Sequence, residues 1–161
     1  MQKRVTLGVI GGGFMAQAIV KGAILKKYLR ADEILVSEPD AGRRAVFSDL
    51  GIGVCCDNCA VTESCDYLLL AVKPQVFPVV AEEIKRNALP VLISIMAGKT
   101  REGIRHATGA QKIARIMPNL PCSVGAGMAG MDTSWLSESE ATFVRGLFQA
   151  VGEVVEVKED L

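Results

Sequence analysis

The apolar run Val5-Thr6-Leu7-Gly8-Val9-Ile10 stops abruptly at Gly11-Gly12-Gly13-Phe14-Met15-Ala16. A run rich in β-branched and apolar residues reads as a strand. Behind the glycines, Met15, Ala18, Ile19 and Gly22 fall near helical spacing, which predicts a helix over Met15 to Lys27. Gly11, Gly13 and Ala16 fit the pattern G-x-G-x-x-A. Between a strand and a helix this pattern has a mechanical meaning. The first glycine permits a tight turn, the second lets the backbone approach a pyrophosphate, and the small third residue lets helix and strand pack closely. The new helix points free N–H groups and the positive end of its dipole at the anion. The same glycines could serve only as a tight structural turn. The strand before them and the helix after them favour dinucleotide binding.

The rest of the chain repeats the alternation. Strands are expected at Ile34 to Ser37, around Val54, and at Asp66 to Val72, Val91 to Ile95 and Lys112 to Met117. Two more are expected at Ala126 to Met131 and Val154 to Val157. Helices are expected at Ala41 to Leu50, near Ala60, from Pro74 to about Arg86, at Thr100 to Ala107 and at Ser137 to Ala150. Gly51 suits the stop of the second helix, and Pro74 suits the start of the fourth. Pro118 to Ser123 reads as a loop because two prolines stand three residues apart. Alternating strands and helices mean an α/β fold, here a Rossmann-like, doubly wound, mostly parallel sheet with helices on both faces.

The chain has 161 residues, enough for about one domain. Lys plus Arg equals Asp plus Glu at 18 each, so the basic excess of an electrostatic nucleic-acid binder is missing. No apolar stretch is long enough for a membrane helix, and the glycines interrupt the only run resembling a secretory signal. These features predict a cytoplasmic protein without membrane or nucleic-acid partners. Cys55, Cys56, Cys59, Cys65 and Cys122 make an odd number and read as free thiols. Cys56-x-x-Cys59 has a redox or metal spacing, but the single histidine, His106, is remote, and no metal is expected. One histidine also leaves little from which to build a Ser-His-Asp arrangement.

The end of the second strand carries two competing signals. Glu38 could accept hydrogen bonds from an adenosine ribose, which favours NADH. Ser37 with Arg43 or Arg44 could instead meet a 2′-phosphate, which favours NADPH. The arginines could equally form a solvated helix face, so either cofactor stays open. In this topology the fourth strand lies beside the first, and the cofactor crosses the crevice between them. Ala71-Val72-Lys73-Pro74, Met96-Ala97-Gly98 and the loop from Met117 to Pro121 then line one half of the cleft. Ser37 and Asn58 lie on the adenine half. Ala97 and Gly98 are small enough to leave room for a ring. Lys73 is either a surface cation or a contact to ribose or carboxamide.

At these loops the sequence resembles pyrroline-5-carboxylate reductase. The resemblance rests on Gly11 to Ala16, Ala71-Val72-Lys73-Pro74-Gln75, Ser94 with Met96-Ala97-Gly98, and Arg115-Ile116-Met117-Pro118-Asn119-Leu120-Pro121. It covers nearly the whole chain in order and spacing. Leu120, where that family commonly has threonine, departs from the pattern, as does Cys122. The resemblance implies hydride transfer from NADPH or NADH to the C=N carbon of 1-pyrroline-5-carboxylate, giving L-proline. It implies that Ile10, Gly11, Gly12, Gly13, Phe14 and Met15 hold the pyrophosphate. Ser37, Pro39 and Asn58 would serve the adenosine side, and Ala71 to Pro74 with Met96 to Gly98 the ribose and nicotinamide. Asn119 would face the nicotinamide and substrate, or else be a turn residue between prolines.

The family continues into a helical domain that completes the carboxylate site and makes the homo-oligomer. The resemblance implies that residues 1–161 are the cofactor domain, that this helical domain lies outside them, and that they turn over poorly by themselves. Two other readings compete: a related oxidoreductase acting on hydroxy acids or a deazaflavin, and a dinucleotide-sensing module without catalysis.

Overall fold

A computed structural model of the chain describes residues 4–119 and 127–159. Eight strands form one sheet: β1 (Val5–Ile10), β2 (Ile34–Ser37), β3 (Gly53–Cys55), β4 (Cys65–Leu70), β5 (Val91–Ser94), β6 (Ile113–Asn119), β7 (Gly127–Asp132) and β8 (Gly152–Glu156). The helices are α1 (Phe14–Leu25), α2 (Ala41–Ser48), α3 (Asn58–Ser64), α4 (Phe77–Ile84), α5 (Arg101–Thr108) and α6 (Glu138–Gln149). The strand order is β3-β2-β1-β4-β5-β6-β7-β8. Pairing is parallel except between β6 and β7. This is the doubly wound, mostly parallel sheet that the alternation predicts. Among the described residues no helix is long and apolar enough to cross a membrane.

The period of two along each strand builds two cores. Leu7, Val9, Leu69 and Ile93 enter one, against α1, Phe47 of α2, and Val144, Leu147 and Phe148 of α6. Ile10, Leu68, Leu70 and Leu92 enter the other, against Val61 of α3, Val80 and Ile84 of α4, and Ile104 of α5. Each fully buried Leu or Ile contributes about 1.5–3 kcal/mol, so these central strands hold the frame rigid beneath the loops at their carboxyl ends. Helix starts are set locally: Asp40, Thr100 and Ser137 each accept a backbone N–H three residues on. Gly51, at φ +83°, follows α2 as predicted.

Several boundaries differ from the sequence reading by one or a few residues, and three of the differences fall at the carboxyl ends of strands. Pro74 lies in a turn closed by the Val76 N–H on the Lys73 carbonyl at 2.9 Å, and α4 begins at Phe77 with Pro78 in its first turn. Either proline suits a helix start, and the β4–α4 turn selects the later one. The loop expected from Pro118 is strand as far as Asn119, with Pro118 in register with Ala129 of β7. Beyond Arg115, β6 has no register partner on β5, so Pro118 stands where the strand is paired on one side only and a missing N–H is tolerated. The rest of that expected loop, including Leu120, Pro121 and Cys122, lies outside the described residues. β4 ends at Leu70, although the Ala71 N–H still donates to the Ile10 carbonyl at 2.9 Å.

A largely buried ionic cluster ties the start of α5 to β6, β7 and the chain after β8. Arg101 opens α5 and donates through Nε to Glu159 Oε2 at 2.6 Å, while its Nη2 lies 2.9 Å from Asp132 Oδ2. Its Nη1 donates to Ser134 Oγ at 2.9 Å, and its guanidinium lies 4.5 Å from the Trp135 ring centre. Arg115 donates to Glu159 Oε1 at 3.0 Å. Burial alone would raise the pKa of Asp132. The Ser134 hydroxyl and N–H, the Glu159 N–H and the Arg101 charge outweigh it and hold the carboxyl below its ordinary value. Burial is likewise outweighed at Glu159 by the hydrogen bonds of Arg101 and Arg115. A depressed folded pKa adds stability above the unfolded values of about 3.9 and 4.3 and loses it as pH falls through the folded ones. Thermal melts are expected to be level from neutral pH to about pH 5 and to decline below about pH 4. Glu159→Gln should flatten that decline; an unchanged acid limb would show that the cluster does not drive it.

Candidate functional site

The chain reverses its winding at β1, with β2 on one side and β4 on the other. The turns leaving β1 and β4 therefore diverge and open a crevice at their carboxyl ends. That crevice has a volume of about 770 Å³, within the usual range for a small-molecule site. The Gly11 N–H donates to the Ser37 carbonyl at 2.9 Å, which stitches the glycine turn to β2. Gly11 sits at φ +100°, and a Cβ there would lie 2.7 Å from the Ala71 carbonyl oxygen. Glycine at this position is required by the protein itself.

Gly13 is different. Its backbone, at φ −75° and ψ −170°, is open to any residue, and a Cβ built on it meets nothing within 4 Å. It is the N-cap of α1, no side chain caps that helix, and no acidic residue lies in its first turn. Gly13, Phe14 and Met15 face the crevice. The first turn of α1 thus offers backbone N–H groups and a positive dipole end to the cleft, with no side-chain cap among the described residues.

At one end of the crevice stand Ser37, Glu38, Pro39, Arg43, Cys56, Asn58 and Glu83. Ser37 donates its hydroxyl proton to Asn58 Oδ1 at 2.7 Å, and Asn58 Nδ2 reaches Glu83 Oε1 at 3.4 Å. Glu38 is buried and accepts from the N–H groups of Gly12 at 2.7 Å and Asp40 at 2.8 Å. Arg44, which the sequence offered beside Arg43, donates instead to the carbonyls of Glu38 and Pro39 at 2.7 and 2.8 Å. At the other end stand Ala71, Val72, Lys73, Pro74, Ile95, Met96 and Ala97. Among the described residues the side chains of Lys73 and Arg43 make no ion pair.

The crevice thus gathers Ile10, Gly11, Gly13, Phe14, Met15, Ser37, Glu38, Pro39, Arg43, Asn58, Ala71, Val72, Lys73, Pro74, Met96 and Ala97. Two expected residues stand apart. Gly12 lies behind the wall, its N–H on Glu38 and its carbonyl accepting from Gln17 Nε2 at 3.0 Å. Gly98, at φ +73°, ends the turn after β5 without lining the crevice. The backbone of Asn119 ends β6 opposite Met128. Sequence reasoning missed Val76, Val79, Val80 and Glu83, which form one wall. Their spacing of i, i+3, i+4 and i+7 is that of a single helix face and would have found them. Among the described residues no cluster of His, Cys, Asp and Glu could hold a metal.

Known proteins resemble this chain in sequence and fold. The chain is 39% identical over 160 residues to a pyrroline-5-carboxylate reductase of Synechocystis, an alignment covering 98% of this chain and 60% of that protein. It superposes on the structure of a pyrroline-5-carboxylate reductase from Coxiella burnetii with a TM-score of 0.91 at 30% identity, over 98% of this chain and 60% of that one. A Plasmodium falciparum pyrroline carboxylate reductase with NADP bound gives a TM-score of 0.84 at 25% identity, over 99% of this chain and 60% of that one. The chain therefore spans about 60% of the length of these relatives. A family model described as "NADP oxidoreductase coenzyme F420-dependent" matches residues 6–98, from β1 through the turn after β5. That match takes in more than half of the chain and every strand end that borders the crevice, and the chain belongs to this family.

Proposed function

We propose that this chain binds NADPH or NADH and forms the cofactor-binding part of a pyrroline-5-carboxylate reductase, which reduces 1-pyrroline-5-carboxylate to L-proline. The observation that carries the dinucleotide reading is Gly13. Among the described residues no contact demands glycine there, and the space in front of it adjoins the uncapped N-terminus of α1. A pyrophosphate needs both that room and those N–H groups. When bound, the reduced nicotinamide supplies the hydride.

The chain's residues bind and orient. Gly13, Phe14 and Met15 hold the pyrophosphate with their backbone. Val76 and Val79, 45% and 67% exposed, give an apolar wall beside the adenosine end formed by Ser37, Asn58 and Arg43. Lys73 places a cation at the opposite end, and the small side chain of Ala97 leaves room for a flat ring. Ile95 and Met96 keep the floor of that end apolar, which limits water near the reacting carbon. Asn119 serves the substrate side from the end of β6. The intact enzyme works in the cytoplasm as a homo-oligomer. Its substrate carboxylate is held by a helical domain beyond this chain, in keeping with the greater length of its relatives.

The family's description names coenzyme F420, so deazaflavin reduction is the second reading. That match ends at residue 98, whereas likeness to the pyrroline-5-carboxylate reductases runs through 98% of the chain. Titration calorimetry with NADPH and NADH, followed by reductase assays of the chain alone and joined to the remaining part of the Synechocystis relative, tests the proposal. Dinucleotide binding, weak turnover alone and proline formation in the joined protein are expected. Oxidation of NADPH by a deazaflavin, with the imine inert, would install the second reading.

A further inference from the structure

The turn between β5 and α5 brings Met96 and Ala97 to the end of the crevice opposite the adenosine. Hydrogen bonds hold it at two ends. Upstream, the Ile95 N–H donates to the Leu70 carbonyl at 3.3 Å and the Met96 N–H to Ser94 Oγ at 3.2 Å. Downstream, the Arg101 N–H donates to Glu159 Oε1 at 2.7 Å. Among the described residues Ala97, Gly98 and Lys99 make no hydrogen bond, so the place of the turn is set from these two ends.

Glu159 reaches the turn from the chain after β8, and its side chain is only 13% exposed. Oε1 also accepts from Arg115 Nη1 at 3.0 Å, and Oε2 accepts from Arg101 Nε at 2.6 Å. The Glu159 N–H in turn donates to Asp132 Oδ2 at 2.8 Å. Register puts this group level with the strand ends that border the crevice. Ser94, the last residue of β5, pairs with Arg115, and Arg115 pairs with Asp132. Arg115 also stands in the strand that ends at Asn119. One carboxylate therefore ties the exit of the β5–α5 turn to β6. Neutralising the Arg101 guanidinium would require only the side-chain contacts. The bond to the Arg101 backbone N–H does more, since it fixes the main chain where the turn becomes helix, and a negative charge suits the first turn of α5.

Resting on the reading that this crevice holds a nicotinamide dinucleotide, we infer that Glu159 is a positioning residue for the nicotinamide end. Through the Arg101 N–H and the Arg115 guanidinium it holds the turn at Met96 and Ala97 where the ring is received. Glu159 does not line the crevice and acts through the turn. Linkage makes the effect reciprocal: a clasp that favours the ring is tightened by the ring to the same degree.

ADP-ribose and 2′-phospho-ADP-ribose are NADH and NADPH without the nicotinamide ring. Calorimetric titration of the chain with each pair measures what the ring adds. In the wild type it should add about tenfold in affinity. Glu159→Gln should erase most of that advantage and leave the ring-free nucleotides within about twofold of their wild-type affinity. Glu159→Asp keeps the charge but is one methylene short of the Arg101 N–H, so it should not restore the advantage. Leu147→Ala opens a cavity in the core on the other face of the sheet and weakens the fold, yet should keep the advantage. Amide exchange of the wild type decides the matter even if the Glu159 variants fail to fold. The dinucleotide should slow exchange at Arg101 about tenfold beyond its ring-free partner. A ring that adds nothing in the wild type, a wild-type advantage in either Glu159 variant, or an equal loss of ring-bearing and ring-free nucleotides would overturn the inference alone. So would loss of the advantage in Leu147→Ala, or exchange at Arg101 indifferent to the ring. Failure of all four nucleotides to bind the wild type would overturn the dinucleotide reading beneath it.

Discussion

Gly13→Val keeps the fold and loses the dinucleotide. The backbone at Gly13 is of a kind any residue adopts, and the new side chain enters space in which a Cβ meets no protein atom within 4 Å. Valine is a poorer N-cap than glycine, so about 1 kcal/mol of stability should be lost, a melting shift of a few degrees. Affinity should fall far more. Filling the place of a pyrophosphate with a branched side chain is an overpacking cost of about 1–3 kcal/mol, or roughly 5- to 150-fold, before any lost N–H contact is added. Gly11→Ala should behave in the opposite way. Its Cβ would press on the Ala71 carbonyl at 2.7 Å from a φ of +100°, so the fold gives way first. Melting curves and calorimetric titrations of the two variants separate a glycine kept for a ligand from one kept for the chain. Wild-type affinity in Gly13→Val would remove the glycine turn from the binding site.

The parts of the crevice that could be read in the sequence are those fixed by backbone topology. Once apolar runs mark the strands, the turns at Gly11, Ala71 and Met96 must share one edge of the sheet, whatever their side chains do. What the residues commit to is harder to read. Glu38 and Arg43 each had two meanings, because the deciding contact is the N–H of Gly12, in a turn of a different βα unit. Arg44 looked equal to Arg43 until its guanidinium was seen on the carbonyls of Glu38 and Pro39. The wall made by Val76, Val79 and Glu83 has a legible helical spacing, but the choice of Pro74 as the helix start hid which face it presents. The antiparallel pairing of β6 and β7 has no local signature of its own.

Least legible of all is the cluster around Arg101, whose partners Ser134 and Glu159 lie 33 and 58 residues away. Its expected effect on stability is nonetheless the largest of any single site. Arg101→Met keeps most of the aliphatic stem and deletes the charge. Asp132 then remains buried and Glu159 half-buried without the cation that faces both, and among the described residues Arg115, 3.0 Å from Glu159, is the one guanidinium left beside them. Removing one partner of a buried pair costs about 3–5 kcal/mol, a large part of the roughly 5–15 kcal/mol available to a domain. At about 2–4 °C per kcal/mol the melting point should drop by roughly 10 °C. Trp135, the single tryptophan, packs against the Arg101 guanidinium, so its fluorescence follows the cluster directly during urea unfolding. The deficit should also depend on pH in a defined direction. Without the cation both carboxyls titrate at higher pH in the folded variant, so acidification relieves the variant while it strips the wild type, and the two stabilities converge below about pH 4. A deficit that stays constant across that range would assign the loss to packing against Trp135 and not to the buried charges. Arg101 also directly follows the turn that carries Met96 and Ala97. A charge deficit that lowered dinucleotide affinity as well would tie the cluster to the shape of the crevice.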